Sequence, residues 1–199
     1  MSKTFFEAVE ARRSCYALSD DISLSDEQVR QLIARAVKHA PSAFNSQSSR
    51  LVLLQGEEHK ALWDITMETL RPKVPATAFA ATEAKINAFA AAHATVLYFE
   101  DQDTVKGLQE QFPSYAHNFP VWSQQHSGIL QFIIWTGLAE AGLGASLQHY
   151  NELIEGEVKK RWNLPANWKL IAQMPFGKIT AQPEAKDFMP LEERLRVFG

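Results

Sequence analysis

Cysteine is nearly missing from this 199-residue chain: Cys15 is the only one, so no intramolecular disulfide can form and no thiolate zinc site is available. That scarcity suits a reducing compartment. Charge of one sign is not in excess either. Twenty basic residues stand against 23 acidic ones, a net charge of -3, which gives no general pull toward nucleic acid or an anionic membrane. No apolar run has the length of a bilayer span. The most apolar stretch, around Ile129 to Leu143, contains Gln131 and Glu140 and reads as a helix buried in protein. The first residues, Met1 to Glu7, lack the apolar segment of a secretory leader, so a cytoplasmic location is expected. The familiar nucleotide signatures are missing too: there is no P-loop, and Gly142-Leu143-Gly144 lacks a third glycine and follows a helix instead of a strand. By itself it reads as a helix C-cap with close packing. The six histidines (His39, His59, His93, His117, His126, His149) lack the (i, i+4) spacing of a helical metal site and belong to no zinc or iron motif. Metal catalysis is not expected.

What is present is ordinary for a folded domain: 46% hydrophobic and 22% charged residues, with length enough for one domain over residues 1–199 and a sizeable core. Phe5, Phe6, Val9 and Arg13 recur at helical spacing, with Ser2 or Thr4 as cap, and this helix should stop near Ser14. Ser25-Asp26-Glu27-Gln28 is a capping box that opens a second helix, and Pro41 ends it. Leu51-Val52-Leu53-Leu54 reads as a buried strand closed by Gly56, and residues 57–70 as a helix. The alanine-rich residues 76–92 suggest an exposed helix or a mobile lid. Residues 95–99 form a second strand, and Asp101 begins another helix. An aromatic loop from Phe112 to Pro120 leads into the long apolar helix, Leu147 to Tyr150 is a loop, and a helix runs near Glu152 to Trp162. Trp168 to Met174 is a third strand ending at Pro175, and the tail from Pro183 is extended, then weakly helical. Strands separated by unequal runs of helix argue for an α+β fold over a doubly wound sheet. Trp122, Trp135, Trp162 and Trp168 are assigned to core packing by default.

With no glycine-rich cradle, a phosphate must be held by side chains. Arg12-Arg13-Ser14 offers two adjacent guanidiniums, each able to grip phosphate through parallel N–H bonds, and a hydroxyl donor. Asn45 and Gln47, after the Pro41-Ser42 turn, suit the carbonyl and N–H edges of a heteroaromatic ring. Taken alone, the first motif is ordinarily a solvated helix end and the second a polar loop. Together they point to a phosphorylated, ring-bearing cofactor, and flavin mononucleotide (FMN) fits best. Cys15 offers a nucleophile, but nothing in the spacing selects a histidine to activate it, and a lone cysteine among apolar residues is usually an inert small hydrophobe.

Further segments complete a pattern: Gly142-Leu143-Gly144-Ala145-Ser146-Leu147-Gln148-His149-Tyr150-Asn151, Pro175-Phe176-Gly177-Lys178 and Pro190-Leu191-Glu192-Glu193-Arg194. With Arg12-Arg13-Ser14 and Pro41-Ser42, Asn45 and Gln47, they resemble the nitroreductase family of FMN-dependent oxidoreductases, in particular its short, fatty-acid-repression-mutant-like subgroup. The resemblance covers nearly the whole chain. It implies an α+β fold with a central, mostly antiparallel sheet flanked by helices, working as an intertwined homodimer with two FMN sites between subunits. Arg12 would pair with the FMN phosphate, and Arg13 and Ser14 with the phosphate, ribityl chain or ring edge. Pro41, Ser42 and Asn45 would approach the same flavin from the other subunit, while Leu147, Gln148 and His149 would line the ring, largely through backbone groups. Two departures stand out. Tyr16 occupies a position where the family often has Arg or Lys near the flavin pyrimidine edge. Near the C-terminus Lys186 matches a basic position, but Phe188 stands in place of an arginine, and Lys178 is the suggested replacement for that charge.

The expected function is an NADH- or NADPH-dependent reduction of a nitroaromatic, quinone or similar small-molecule acceptor by a ping-pong cycle, hydride passing through flavin N5. The protein would supply positioning, water exclusion and electrostatics, so no catalytic side chain is required. Phe112, Tyr115, Phe119 and residues 76–92 are expected to wall the acceptor pocket. A flavin- or lipid-binding regulatory protein with little turnover, in lipid or stress regulation, is the alternative from another class; Tyr16 and Phe188 lean toward it. A Cys15 hydrolase is a poorer third.

Overall fold

All eight residues from Ala94 to Asp101 are buried, and successive side chains of an extended chain point to opposite faces. Both faces must therefore be covered, and they are. A computed structural model describes residues 3–199. In chain order the elements are α1 (Phe5–Ala11), β1 (Leu18–Ser19), α2 (Asp26–His39), β2 (Ser49–Gln55), α3 (Gly56–Leu70), α4 (Phe79–Ala90), β3 (Ala94–Asp101), α5 (Gln102–Gln111), α6 (Phe119–Glu140), β4 (Leu143–Ala145), α7 (Asn151–Trp162) and β5 (Trp168–Ile179). The strands run in the order β1-β5-β3-β2, with β4 also paired to β5, all antiparallel. Val96 and Tyr98 pack with Val29 and Ile33 of α2 and Leu130, Ile134 and Leu138 of α6. Leu97 and Phe99 pack the other way, with Leu62 and Trp63 of α3, Ile86 and Phe89 of α4 and Ile154 and Val158 of α7. The chain is α+β with helices on both sides of the sheet.

Local chemistry sets the ends of these elements. Thr4 and Glu7 form a reciprocal capping box on α1, and Ser25 and Gln28 do the same for α2. Ser2, the other cap considered for α1, lies outside the described residues. Helix α1 stops at Ala11, earlier than Ser14, because Arg12 turns extended to enter the sheet region. Gly56 opens α3 at a φ of 55° instead of merely closing the strand before it.

Two expectations need correction. The alanine-rich stretch is a helix, one of the two forms expected for it, but not one exposed all round. Phe79, Ile86 and Phe89 lie on one side of α4 and are buried against α3. The long helix α6 starts at Phe119, where the aromatic loop was expected to lead into it, with Pro120 tolerated in the first turn. Strand β5 does not end at Pro175 but continues to Ile179. In an antiparallel ladder one residue's N–H and C=O point to the same neighbour. The Pro175 carbonyl accepts from Ser146 N at 3.2 Å, so its missing N–H also faces the β4 side and the β3 ladder is untouched. Strands β1 and β4 are too short to show in the sequence.

A buried polar network ties α3, β3 and α4. Trp63 Nε1 donates to Thr95 Oγ1 at 3.1 Å, Thr95 Oγ1 lies 2.9 Å from His59 Nδ1, and His59 Nε2 lies 3.2 Å from the Ala90 carbonyl. These partners are all satisfied by the neutral Nε2–H tautomer. Burial holds the His59 pKa down at about 4, which agrees.

Candidate functional site

After α1 the chain runs along β4. Ser14 bridges Ala145 in parallel fashion, and Cys15 N donates to the Ala145 carbonyl at 2.9 Å. Gly144 permits this approach: a Cβ there would stand 2.6 Å from Ile179 Cγ1, 2.8 Å from Cys15 Cβ and 2.9 Å from Leu18 Cδ2. So Gly142-Leu143-Gly144 does cap a helix, with Gly142 at a φ of 82°, and also opens a strand that brings Arg12–Ser14 beside the segment leading to Leu147. The Arg12 guanidinium stacks 4.5 Å from the centre of the Trp135 ring. Stacking occupies its face and leaves its N–H edge for an anion. Arg13 donates to the Glu184 carbonyl at 2.5 Å, fastening the C-terminal segment beside the turn. Ser14 is exposed, and so is Tyr16, whose ring lies 6.2 Å from that of Phe89. Cys15 is 3% exposed and its thiol pKa is pushed up, chiefly by burial. It has the features of an inert cysteine, not a nucleophile.

The segment after β4 keeps the register of β5. Gln148 and Gln173 exchange backbone hydrogen bonds of 2.7 and 2.9 Å. The Gln148 side chain turns inward to donate to Ser146 Oγ at 3.1 Å, whereas Leu147 is half-buried and His149 exposed. Gln173, which the sequence reading passed over, does much of the fixing. Its Oε1 accepts from Tyr150 N at 2.9 Å and its Nε2 donates to Asn151 Oδ1 at 2.7 Å. The signal was available: a glutamine between Ala172 and Met174 in an apolar strand must find partners when buried.

The Pro41–Gln47 loop is built differently. It follows the C-terminus of α2 and turns through a short 3-10 segment, Ala43–Asn45. Phe44, Asn45 and Gln47 have φ of 55°, 51° and 48°, a region costly for residues with a Cβ, least so for asparagine. Ser42 Oγ accepts from Gln47 N at 3.0 Å. His126 of α6 holds the Pro41 carbonyl through Nδ1 at 2.8 Å. The side chains of Asn45 and Gln47 are exposed.

Around this loop the aromatic residues gather. Phe44 lies 4.8 Å from Phe112, 5.4 Å from Phe119, 5.9 Å from Trp122 and 6.0 Å from Tyr115, centre to centre. The expected pocket trio is thus one cluster, centred on Phe44, which the sequence reading did not single out. Phe119 itself is 3% exposed, while Phe44 and Tyr115 are about half exposed. Of the lysines, Lys178 is engaged with Asp21 at 2.6 Å rather than with the Arg12–Ser14 turn. Lys186 sits over the Phe188 ring at 4.9 Å, two residues beyond Glu184, which Arg13 holds. Trp122, Trp135, Trp162 and Trp168 are half-buried; the fully buried tryptophan is Trp63.

The two sets, Arg12–Ser14 with Leu147–His149 and Pro41–Gln47 with its aromatics, are joined by no hydrogen bond or ring contact among the described residues. Both lean on α6, at Trp135 and at His126. Nine residues separate these positions, roughly 14 Å along a helix. Among the described residues no group of His, Cys, Asp or Glu could hold a metal ion. The donor set fits FMN in kind: a guanidinium edge and a hydroxyl for a dianionic phosphate, and a polar loop for a ring edge.

Comparison with known proteins bears on these features. The sequence model of the Nitroreductase family matches residues 9–178. Nitroreductase FRM2 of Saccharomyces cerevisiae is 32% identical over 190 residues, 93% of this chain and 93% of its own length. The structure of nitroreductase CinD from Lactococcus lactis in complex with nicotinic acid superposes with a TM-score of 0.91 at 48% identity, covering 98% of this chain and 100% of that one. CinD in complex with 4-nitrophenol matches equally, at 48% identity, the same coverage and a TM-score of 0.90. A protein of Exiguobacterium sibiricum, solved in complex with FMN, shares the fold at a TM-score of 0.72 and 16% identity, over 100% of this chain and 99% of that one.

Proposed function

The chain belongs to the nitroreductase family, and on that premise we propose that it is an FMN-dependent NAD(P)H oxidoreductase, one domain over the whole chain, that reduces nitroaromatics, quinones or similar acceptors. The observation that carries this reading is the pairing of Ser14 and Cys15 with Ala145, which sets the arginine turn beside the segment that leads to Leu147–His149. Arg12, Arg13 and Ser14 bind the phosphate end. Backbone groups of Leu147, Gln148 and His149 line the ring, and Asn45 and Gln47 meet its polar edge. Held by these residues, FMN would supply the redox chemistry, hydride transfer between a nicotinamide and the acceptor. The chain's task is to hold donor and acceptor in turn over one face and to exclude water. Phe44, Phe112, Tyr115 and Trp122 offer flat apolar walls for such a planar guest. The CinD complex with 4-nitrophenol supports an aromatic nitro compound as the acceptor class.

We place the complete site between two copies of the chain. Phe5 and Phe6 are 66% and 72% exposed, and Phe188, Leu191, Val197 and Phe198 in the C-terminal segment 66% to 89%. Apolar surface of that extent ordinarily meets a partner. Lys186, two residues before Phe188, is the cation we assign to the charge that Phe188 lacks, with Lys178, now paired with Asp21, as the second candidate. No helix among the described residues is long and apolar enough to cross a membrane, and a cytoplasmic site of action remains part of the proposal.

The test is direct. Purified protein should be yellow, lose its visible flavin absorbance on addition of NADH or NADPH, and recover it when a nitroaromatic is added. Steady-state consumption of nicotinamide no faster than a free-flavin control would favour the regulatory reading. A colourless protein that takes up no added FMN would remove both flavin readings.

A further inference from the structure

Glu100, near the end of β3, is 0% exposed. It shares the face of Val96 and Tyr98 and so points toward the α6 side of the sheet. A carboxylate is costly to bury unless its oxygens are fully engaged. Here they are: Ser48 Oγ donates to Oε2 at 2.6 Å and Ser49 Oγ donates to Oε1. Those two serines immediately follow Gln47. On the same stretch Arg50 donates to the Gln47 carbonyl at 2.7 Å and pairs with Asp101 at 2.7 Å, and the Ser48 carbonyl accepts from Asp101 N at 3.0 Å. At the loop's other end, His126 holds the Pro41 carbonyl. A loop with three non-glycine residues at positive φ is strained and persists only where the surroundings hold it, and these clamps add to its own hydrogen bonds.

We propose that Glu100 is a positioning residue for FMN binding: through Ser48 and Ser49 it anchors the strand end of the Pro41–Gln47 loop, while His126 anchors the helix end. The loop then meets the flavin already in its strained shape, and affinity does not have to cover the ordering of the loop. This rests on the FMN reading above.

The chemistry of the clamp makes it sensitive to one proton. An ionised Glu100 accepts from both serines, whereas a protonated carboxyl, or a glutamine amide, offers one acceptor and one donor, so one serine must turn to accept and its own proton loses that acceptor. The charged and titratable groups around Glu100 are Arg50 from β2, His126 from α6, Lys169 opposite in the β5 register, and Asp101 next along β3. Burial raises the Glu100 pKa, and Ser48, Ser49, His126 and Arg50 oppose that rise in part. The proton therefore arrives at a higher pH than for an exposed glutamate, and acidification of the wild type should reproduce what Glu100→Gln does at every pH.

The experiment is an FMN titration of full-length, flavin-stripped protein, followed by quenching of flavin fluorescence from pH 8 to pH 5, alongside thermal unfolding of the same samples. Glu100→Gln should bind FMN about tenfold more weakly at pH 8. The ratio of wild-type to variant affinity should shrink as the pH falls; titration of the FMN phosphate is common to both proteins and cancels. Should Glu100→Gln fail to fold, Ser49→Ala takes its place: it releases one arm of the clamp, leaves Ser48 on Glu100, and should also weaken FMN binding at pH 8. Equal affinities at pH 8, or a ratio that does not change with pH even where the unfolding temperature drops, would overturn the proposal, because a merely structural role moves stability alone. Arg12→Ala separates the two levels: loss of FMN there with indifference at Glu100 defeats only the clamp, whereas wild-type protein that takes up no FMN defeats the functional reading with it.

Discussion

The Arg12–Ser14 turn and the Pro41–Gln47 loop both leave a helix and lead toward a strand, but they are held in different ways. The first is stitched by backbone groups to the edge of β4, in unstrained extended geometry, and depends on the absence of a side chain at Gly144. The second carries positive φ at Phe44, Asn45 and Gln47, and side chains from outside the loop grip both of its ends. Backbone stitching tolerates most substitutions in the turn itself, leaving Arg12, Arg13 and Ser14 open to be set by ligand chemistry. Side-chain gripping spreads the determinants over α6, β2 and β3. One region is vulnerable at its floor and the other at its clamps.

Substitutions can break or sharpen that contrast. The largest effect is expected at Arg12. Arg12→Ala removes a charged donor from the phosphate end and should weaken FMN binding about a hundredfold, consistent with roughly 1.5–3 kcal/mol for hydrogen bonds to charged groups. It should leave the backbone stitch intact, so far-UV circular dichroism should not change. Retained FMN affinity would take Arg12 out of the site. Gly144→Ala comes next. Its new Cβ has no space, and overpacking of this kind costs roughly 1–3 kcal/mol, so thermal unfolding should fall by about 5 °C and FMN affinity with it. An unchanged unfolding temperature would mean that the turn does not depend on close approach.

The smallest effect lies in the loop. At a φ of 55° a residue with a Cβ is strained, so Phe44→Gly should be more stable than Phe44→Ala by about 1 kcal/mol, the reverse of the usual order. Both lose the ring contacts to Phe112 and Trp122 and should bind nitroaromatics more weakly than wild type. If alanine proves the more stable, the positive φ at Phe44 is not a constraint on the loop.

Much of the fold could be read from local chemistry. The Ser25–Gln28 capping box, the stop before Pro41 and the doubly apolar run at Thr95–Phe99 each specify their element without reference to the rest. Pro175 misled because a proline's harm depends on which neighbour its nitrogen faces, and that is settled only when β4 arrives. Residues 76–92 announced a helix but not its buried side, because scattered alanines drown the signal of Phe79, Ile86 and Phe89. In the site, arginine pairs and amide side chains advertise themselves by type. Glu100 does not: within Phe99-Glu100-Asp101-Gln102 it looks like the polar end of a strand, and its burial depends on α6 and β2 packing over it. Phe44 likewise gains its meaning only from the aromatics gathered round it.

The nine-residue gap on α6 between His126 and Trp135 has a consequence for subunit mixing. If each crevice draws its arginine turn from one protomer and its strained loop from the other, damage to the two elements need not be additive. Co-expressing a chain defective only in the turn with one defective only in the loop would yield hybrids in which both lesions fall on a single crevice. The opposite crevice would then be assembled wholly from sound parts, and each hybrid would regain half of a dimer's flavin capacity from two inactive parents.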